Sequence, residues 1–468
     1  MHPFHFAKVI SPIGQALSKE TILSKAINNI DAFKISLTSG LDDSQRKNID
    51  TIMKLDNGKT MILEIKWPQV RTKNTKPLTL KKWKTITIDF SEYPNDQWIW
   101  IYIDYLDMQQ LTVGVEIATL DGDTIFTIKE NNEGSLTCII VSDAILQPQS
   151  PIVFHQYEVS LPFVTTRDER DMLRAINNGV HTLIANHVQT SEDILMMRSF
   201  LSKHQSNHMK IFVRVQNLTC IEHIHDIAKV ADGILIHQSD IHSLTSSKTF
   251  QKNIDQLIAS ASHDGKPVII WLTMAEIQAT KNRITMISNY LHMGVSAFLL
   301  GDDVLDMDDP TDFIVGFFED ILAQQLIELP NIELEEASID PEYKTNDYII
   351  YSAYRAIREL DVKAIICFTE NGYTASKLSS YRPAIPLIAF TKSDATYRYI
   401  NLLWAVKWYK VAPGFDYTNI KQIGKEIIRI IFKWWITLDD KIVIVHASSM
   451  YPEKNIINGM EIYKFKDI

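Results

Sequence analysis

Two short segments hold the residue types best suited to handling phosphate or metal. Arg214-Val215-Gln216-Asn217 closes one β-branched run, and His237-Gln238-Ser239-Asp240-Ile241-His242 follows the next. A guanidinium can grip a phosphate through two parallel hydrogen bonds, and a carboxylate at the C-terminal end of a strand can ligate a divalent ion. Each has a plainer role open to it. Arg214 can be kept for an internal ion pair, and Asp240 can cap the helix after its strand. A third candidate is the strand-to-helix turn Thr369-Glu370-Asn371-Gly372-Tyr373-Thr374, whose hydroxyls and backbone amides favour an anion. The competing account is an ordinary turn with Thr374 as N-cap, which the acidic Glu370 favours. Cys220, His223, His225, His237 and His242 supply the thiol and imidazole groups that zinc uses. His223 and His225, however, are two apart on a predicted helix and so lie on different faces. Solvated helix-face histidines are the expectation. The run Lys73, Lys76, Lys81, Lys82 and Lys84 reads as the solvated face of a β-hairpin rather than a nucleic-acid patch.

The elements that must position these residues are mostly βα units. Short apolar or β-branched runs alternate with helical stretches from Lys8 onward. Predicted strands are Ala32–Leu37, Thr60–Ile65, Thr182–Ala185 after a helix over Arg167–Asn178, Ile211–Val215, Gly233–Ile236 and Pro267–Trp271. Continuous apolar runs of this kind suit parallel strands buried on both faces. The pattern breaks between about Trp67 and Leu161, where alternating segments such as Trp98–Ile103 replace it and an inserted β domain is the economical account. Turn signals support this at Asp121-Gly122-Asp123 and Asn131-Asn132-Glu133-Gly134, while Asp56-Asn57-Gly58 belongs before the insertion. An acidic, aperiodic stretch at Pro330–Pro341 reads as a linker. Beyond it the βα pattern restarts: helix Asp347–Leu360, strand Ala364–Phe368, helix Thr374–Ser380, strand Leu387–Phe390, helix Ala395–Leu403, an amphipathic helix at Ile420–Trp435, and strand Ile442–Val445. The stripe Ile420, Ile423, Ile427, Ile428, Ile431, Trp434 and Trp435 has helical spacing and reads as core before subunit contact.

Composition narrows the classes. A chain of 468 residues exceeds one ordinary core, and its 46% hydrophobic and 22% charged content is that of a globular protein. The net charge of −10 argues against a nucleic-acid partner, although a local site for a small anion can oppose the global sign. Three widely spaced cysteines, Cys138, Cys220 and Cys367, argue against a disulfide framework. The first residues, Met1 to Lys8, lack the order of a secretory signal, and no apolar run reaches a bilayer span. A cytoplasmic protein with no membrane partner is expected.

An α/β barrel interrupted after its third strand by a β insertion, then an α/β domain, resembles the pyruvate kinase family. Motifs carry the likeness at both ends. Lys8-Val9-Ile10-Ser11-Pro12-Ile13-Gly14 resembles the family's opening, and Lys34-Ile35-Ser36-Leu37-Thr38-Ser39-Gly40 stands where the family has Arg-Leu-Asn-Phe-Ser-His-Gly. Leu63-Glu64-Ile65-Lys66-Trp67-Pro68-Gln69-Val70-Arg71-Thr72 is similar to Leu-Asp-Thr-Lys-Gly-Pro-Glu-Ile-Arg-Thr. Phe368 to Ala375 and Tyr381 to Thr391 resemble the signature of the family's last domain. The implied fold is a TIM (β/α)8 barrel with an inserted β-barrel domain and a C-terminal α/β three-layer domain. The expected boundaries are 1–66 plus 162–328 for the barrel, 67–161 for the insertion and 340–468 for the last domain.

The family's reaction moves a phosphoryl group from phosphoenolpyruvate to ADP, giving pyruvate and ATP, with Mg2+ or Mn2+ and K+. Such chemistry rests on positioning and on charge aimed at the transferred group. The resemblance assigns catalytic positions to Arg214, Lys34, Lys66 and Leu272, and phosphate or nucleotide contacts to Arg71 and Lys34. It assigns the divalent metal to Gln216 and Asp240, and the monovalent cation to Ser36, Thr38, Glu64 and Ile65. Thr369, Asn371, Gly372, Tyr373 and Thr374 fall where the family often takes a phosphorylated sugar effector.

Several of these positions depart from the pattern. Arg214 replaces a lysine, and a planar guanidinium is no copy of a compact ammonium. Gln216 replaces a metal-binding glutamate, and Leu272 replaces a threonine, with Thr273 one residue late and so on the opposite face of a strand. Ser36, Thr38, Glu64 and Ile65 replace Asn, Ser, Asp and Thr, Lys34 replaces an arginine, and Asp104-Tyr105-Leu106 replaces Asp-Asp-Gly. Lys66, Arg71, Asn217, Asp240, Glu276, Thr369, Gly372 and Thr374 match. The expectation is a pyruvate kinase relative with its metal and catalytic site degraded, weak or inactive, kept as a binding or assembly subunit in a homo-oligomer, dimer or tetramer. The alternative is an active phosphotransferase with altered metal or substrate preference.

Overall fold

The computed structural model describes residues 5–14, 17, 19–36, 43–56, 58–65, 72, 77–89, 99–100, 111–119, 124–132, 135–147, 152–155, 163–164, 166–244, 250–279, 283–325, 344–412, 417–431, 436–446 and 459–467. The chain divides into two compact units, Met1–Ile65 with Arg167–Ile468, and Lys66–Thr166.

Eight short strands with almost unbroken apolar runs cannot satisfy both faces in an open sheet without covering both, and here they close on themselves. Lys8–Pro12, Ala32–Ser36, Thr60–Glu64, Thr182–Ala185, Lys210–Val215, Gly233–His237, Val268–Leu272 and Ala297–Leu300 form a closed parallel barrel in which each strand pairs with its chain neighbour and the last returns to the first. Helices such as Ser191–Lys203, Phe250–His263 and Thr311–Gln325 follow the strands in the order of βα repeats. Packing is tight enough to dictate residue size. A methyl group on Gly233 would lie 2.2 Å from the Phe212 ring, so the buried phenylalanine on the neighbouring strand requires glycine there.

The C-terminal domain lies at the barrel's N-terminal end. Its five strands run in the order Val406–Lys410, Leu387–Thr391, Val362–Phe368, Lys441–His446 and Gly459–Lys464, parallel except for the last. Side chains cross to carbonyls at or before the starts of barrel strands. Asn401 donates to the Asp31 carbonyl at 2.7 Å, Arg398 to that of Lys59 at 2.6 Å, and Arg382 to that of Val295 at 2.9 Å. In return Lys8 donates to the Val406 carbonyl at 2.8 Å. The opposite, C-terminal ends of the barrel strands are therefore the ones left to carry a site.

The second unit holds a six-stranded, mainly antiparallel sheet and a two-stranded one. Ser135–Ile140 alternates half-buried and buried positions, the pattern of a sheet with one covered face. Ile88, Ile117, Phe126, Leu136 and Cys138 lie in this unit's separate core.

The predicted elements differ from the observed ones mainly at their ends. The helix expected over Ala395–Leu403 spans Asp394–Ile400 and stops where Asn401 turns its amide to the barrel. The long helix expected to Trp435 is described over Tyr417–Ile431. The last turn's helix begins at Tyr373 with Gly372 as N-cap in a left-handed conformation, φ 92°, so Thr374 is not the cap but lies buried inside the first turn. Ala297–Leu300, Val406–Lys410 and Gly459–Lys464 escaped the sequence reading. The first is only four residues long, and the other two are sheet-edge strands whose charged residues mask an apolar run. Pro330–Pro341, Asp104–Leu106 and most of Trp98–Ile103 lie outside the described residues.

Candidate functional site

At the C-terminal ends of the strands the barrel brings Lys34, Glu64, Arg214, His237, Asp240, Trp271 and Asp302 together. Lys34 comes from the second strand and is fully buried, a placement that an ammonium tolerates only with close counter-charges. Its Nζ donates to Glu64 Oε2 at 3.0 Å and to Asp302 Oδ2 at 3.0 Å. Arg214 comes from the fifth strand. It donates to Glu64 Oε1 from Nη1 at 3.0 Å, and to Asp240 from Nε at 2.9 Å and Nη2 at 3.3 Å. Glu64 thus joins the two cations, while Asp240 and Asp302 occupy their outer sides.

Trp271 fills the space between them. Its ring lies 3.8 Å from Lys34 Nζ, 4.4 Å from the Arg214 guanidinium carbon and 4.9 Å, centroid to centroid, from His237. Both cations sit over an electron-rich face in a largely desolvated setting, where such contacts are strongest. The indole is 7% exposed, and its Nε1 has no hydrogen-bond partner among the described residues.

The carboxylates respond to this pairing. Burial alone would raise the Glu64 carboxyl, but Lys34 and Arg214 outweigh it and hold it down to about 2. Asp240 is likewise lowered despite burial, by hydrogen bonds and charge from His237 and Arg214. His187 is pushed down to about 4, first by burial and then by the Arg214 charge. Among the described residues, Lys34 and Arg214 are thus matched by the carboxylates of Glu64, Asp240 and Asp302.

The remaining assigned positions are also engaged. The Gln216 Oε1 accepts from the His187 backbone N–H at 3.2 Å. Asp240 lies in the first turn of the helix Gln238–Leu244, bonded to Arg214 and His237. Leu272 is fully buried at the end of its strand. Thr273 lies just past it and exchanges hydrogen bonds with Glu276, a reciprocal helix cap. Asn217 caps the helix Leu218–Glu222 through the Cys220 N–H at 2.7 Å. Ile65 is buried, and its carbonyl accepts from Asn186 at 2.7 Å. Thr38, Lys66, Arg71 and the side chain of Ser36 lie outside the described residues.

Two other predicted groups resolve differently. Among the described residues the zinc set does not assemble: Cys220 is buried, its thiol pushed up to about 12 by that burial, and His237 belongs to the barrel mouth. The side chain of His242 lies outside the described residues. His237 is therefore no solvated helix-face histidine, since it ends a strand and its ring packs on Trp271. In the C-terminal turn the Gly372 N–H donates to Thr369 Oγ1 and the Tyr373 N–H to Asn371 Oδ1, both at 3.0 Å. Those two amides at the helix start are already engaged within the turn.

Trp271, Asp302 and His187 were missed by the sequence reading. Trp271 offered one signal, a bulky aromatic at the alternate position to Ile269, two residues away on the same face of a barrel strand. Asp302 and His187 had none, because they meet their partners only through barrel closure.

A closed parallel barrel with its polar cluster at the strands' C-terminal ends places the chain among (β/α)8-barrel proteins of the kind that build sites there. The model of the pyruvate kinase barrel domain matches residues 5–303, and that of the pyruvate kinase alpha/beta domain matches residues 347–463. This chain belongs to the pyruvate kinase family. The pyruvate kinase of Staphylococcus haemolyticus is 25% identical over 98% of this chain and 80% of its own length. That of Staphylococcus aureus strain MRSA252 is 24% identical over 86% and 71%. The crystal structure of Cryptosporidium parvum pyruvate kinase superposes with a TM-score of 0.82 over 98% of this chain and 97% of that one, at 19% identity, a likeness of fold. Among the described residues, no helix is long and apolar enough to cross a membrane.

Proposed function

We propose that this family member transfers phosphoryl groups between phosphoenolpyruvate and ADP slowly or not at all, and serves as a binding or assembly subunit. The observation that carries this reading is the pairing of Lys34 and Arg214 with Glu64, Asp240 and Asp302 around the Trp271 ring. Phosphoryl transfer needs cations aimed at the incoming phosphate and able to engage it as charge develops. Here each cation already holds carboxylates in a largely desolvated setting. A substrate anion would have to displace them and the indole together.

The residues present do not fit the family's divalent ion. Gln216 brings an uncharged oxygen already engaged with His187, and both Asp240 oxygens accept hydrogen bonds from Arg214. Mg2+ sites depend on carboxylates together with substrate oxygens. Nor does Glu64, engaged by Lys34 and Arg214, resemble a ligand held ready for K+. Losing one electrostatic donor costs on the order of a hundredfold to a thousandfold in rate, and the losses need not add.

The test is a coupled assay with phosphoenolpyruvate, ADP, Mg2+ and K+ on the wild type and on the Arg214→Lys, Gln216→Glu, Leu272→Thr triple variant. Little or no turnover by the wild type is expected. A wild-type rate of about 10 per second or above, ordinary for an enzyme, would remove the proposal. One observation favours the second reading, a phosphotransferase with altered metal or substrate: Arg214 and Asp240 still meet at the barrel mouth, 2.9 Å apart. That reading requires Asp240→Ala to abolish whatever activity is found.

A further inference from the structure

We propose that His225, His263 and Asp264 form a binding site for a Zn2+-class transition-metal ion on the outer face of the barrel, separate from the mouth. One ligand atom from each of the three lies within 4.8 Å of the others. His225 stands on the helix Ile224–Val230 and His263 ends the neighbouring helix Phe250–His263, with ring centroids 5.7 Å apart. The two helices are fixed from beneath by the buried Ile224, Ile227, Ile254, Leu257 and Ala261. Both imidazoles are exposed, so an ion can reach them from solvent.

Asp264 completes the set from a clamped position. The next residue, Gly265, turns the chain at φ 70°, and its carbonyl accepts from Ser376 Oγ of the C-terminal domain. His263 Nδ1 and Asp264 Oδ1 are 3.0 Å apart. Bonds of about 2.0–2.1 Å to a tetrahedral Zn2+ place neighbouring ligand atoms about 3.3 Å from each other, so little movement is needed. The other carboxylate oxygen, Oδ2, is buried without a hydrogen-bond partner among the described residues, an unsatisfied acceptor that a cation would relieve. Two imidazoles and one carboxylate, with a fourth position open to water, select Zn2+, Cu2+ or Ni2+ over Mg2+ and Ca2+, which prefer all-oxygen shells.

Along the chain His225 stands well apart from the adjacent pair His263-Asp264, and the sequence groups it with its neighbours instead. Only the packing of the two helices brings His263 and Asp264 to it.

The experiment is calorimetric titration of the EDTA-treated full-length protein with ZnCl2, repeated on His225→Ala, His263→Ala, Asp264→Asn and, as a control, Asp240→Asn. One equivalent of Zn2+ is expected to bind the wild type. His225→Ala and His263→Ala should each weaken binding by roughly tenfold or more, and Asp240→Asn should leave it unchanged. Both histidines are exposed, so metal-free melts of their variants should match the wild type. If one does not, Asp264→Asn supplies the comparison. Absence of stoichiometric binding, binding unaffected by either histidine variant, or binding lost in Asp240→Asn would overturn the proposal. Phosphoenolpyruvate turnover is not part of the readout, so the result stands apart from the fate of the barrel mouth.

Discussion

At the N-terminal end of the barrel, Lys8, Arg382, Arg398 and Asn401 direct their polar groups to backbone carbonyls across the junction with the last domain. At the C-terminal end, Lys34 and Arg214 direct theirs to the carboxylates of Glu64, Asp240 and Asp302. A carbonyl is a fixed dipole that asks for no counter-charge, and the junction can be satisfied one bond at a time. A buried ion pair is worth having only while both members are charged and in place, since the desolvation cost falls on each. The lesson is that the bonds crossing from the barrel to the last domain are separable, whereas the cations of the mouth belong to a mutually dependent network. The N-terminal end has ion pairs too, Asp31 with His5 and Asp232 with Arg198 and Lys210, but they lie within the barrel. On the function proposed above, the network of the mouth holds it against an incoming phosphate.

Glu64 is the residue on which the mouth's network depends most. Glu64→Ala leaves Lys34 and Arg214 short of their shared partner, and a buried pair that loses one member typically costs about 3–5 kcal/mol. Urea denaturation at neutral pH should read a loss of that size. A loss below about 1 kcal/mol would mean that the two cations are satisfied without it.

Acid should weaken the mouth through the same carboxylate. The folded-state value of the Glu64 carboxyl, about 2, lies below its ordinary 4.5. Its contribution is therefore complete above about pH 4.5 and is lost as pH falls toward 2, amounting to about 3 kcal/mol. Denaturation curves across that window should steepen in the wild type and flatten in Glu64→Gln. Asp240, lowered in the same direction, adds to the effect.

The smallest change is expected at the other end. Asn401→Ala removes the donor to the Asp31 carbonyl and the acceptor of the Trp408 indole N–H, none of them charged, at about 1–3 kcal/mol. Its effect should be nearly the same at pH 7 and pH 3, because no group in those bonds titrates there. A penalty that grows in acid would contradict the separation drawn between the two ends.

Much of this was legible in the sequence. Unbroken apolar runs from Thr60–Glu64 to Val268–Leu272 give parallel strands, and Arg214, Gln216 and Asp240 fall at strand ends because the βα rhythm puts them there. The rest needed the closed barrel. Lys34 meets Asp302 only because the first and last strands pair, and Trp271 reaches both cations only because closure brings strands that are not its neighbours to face its ring. Glu64 illustrates this: the resemblance aligns it with a monovalent-cation position, and only the closed barrel shows that its carboxylate also joins Lys34 and Arg214. The turn at Gly372 was read one or two residues late, since a left-handed glycine and a threonine are both plausible helix starters until φ is seen.

On the proposed function, the described charges of the mouth are closed upon one another and it binds no divalent ion. Titration of the EDTA-treated protein with Mn2+ in the presence of oxalate, followed by the electron paramagnetic resonance signal of free Mn2+, measures this. Run on the His225→Ala, His263→Ala background, it reads the mouth without the outer helices. The account predicts that the free-ion signal rises in step with added metal. A stoichiometric loss of that signal, restored by Asp240→Asn, would contradict it.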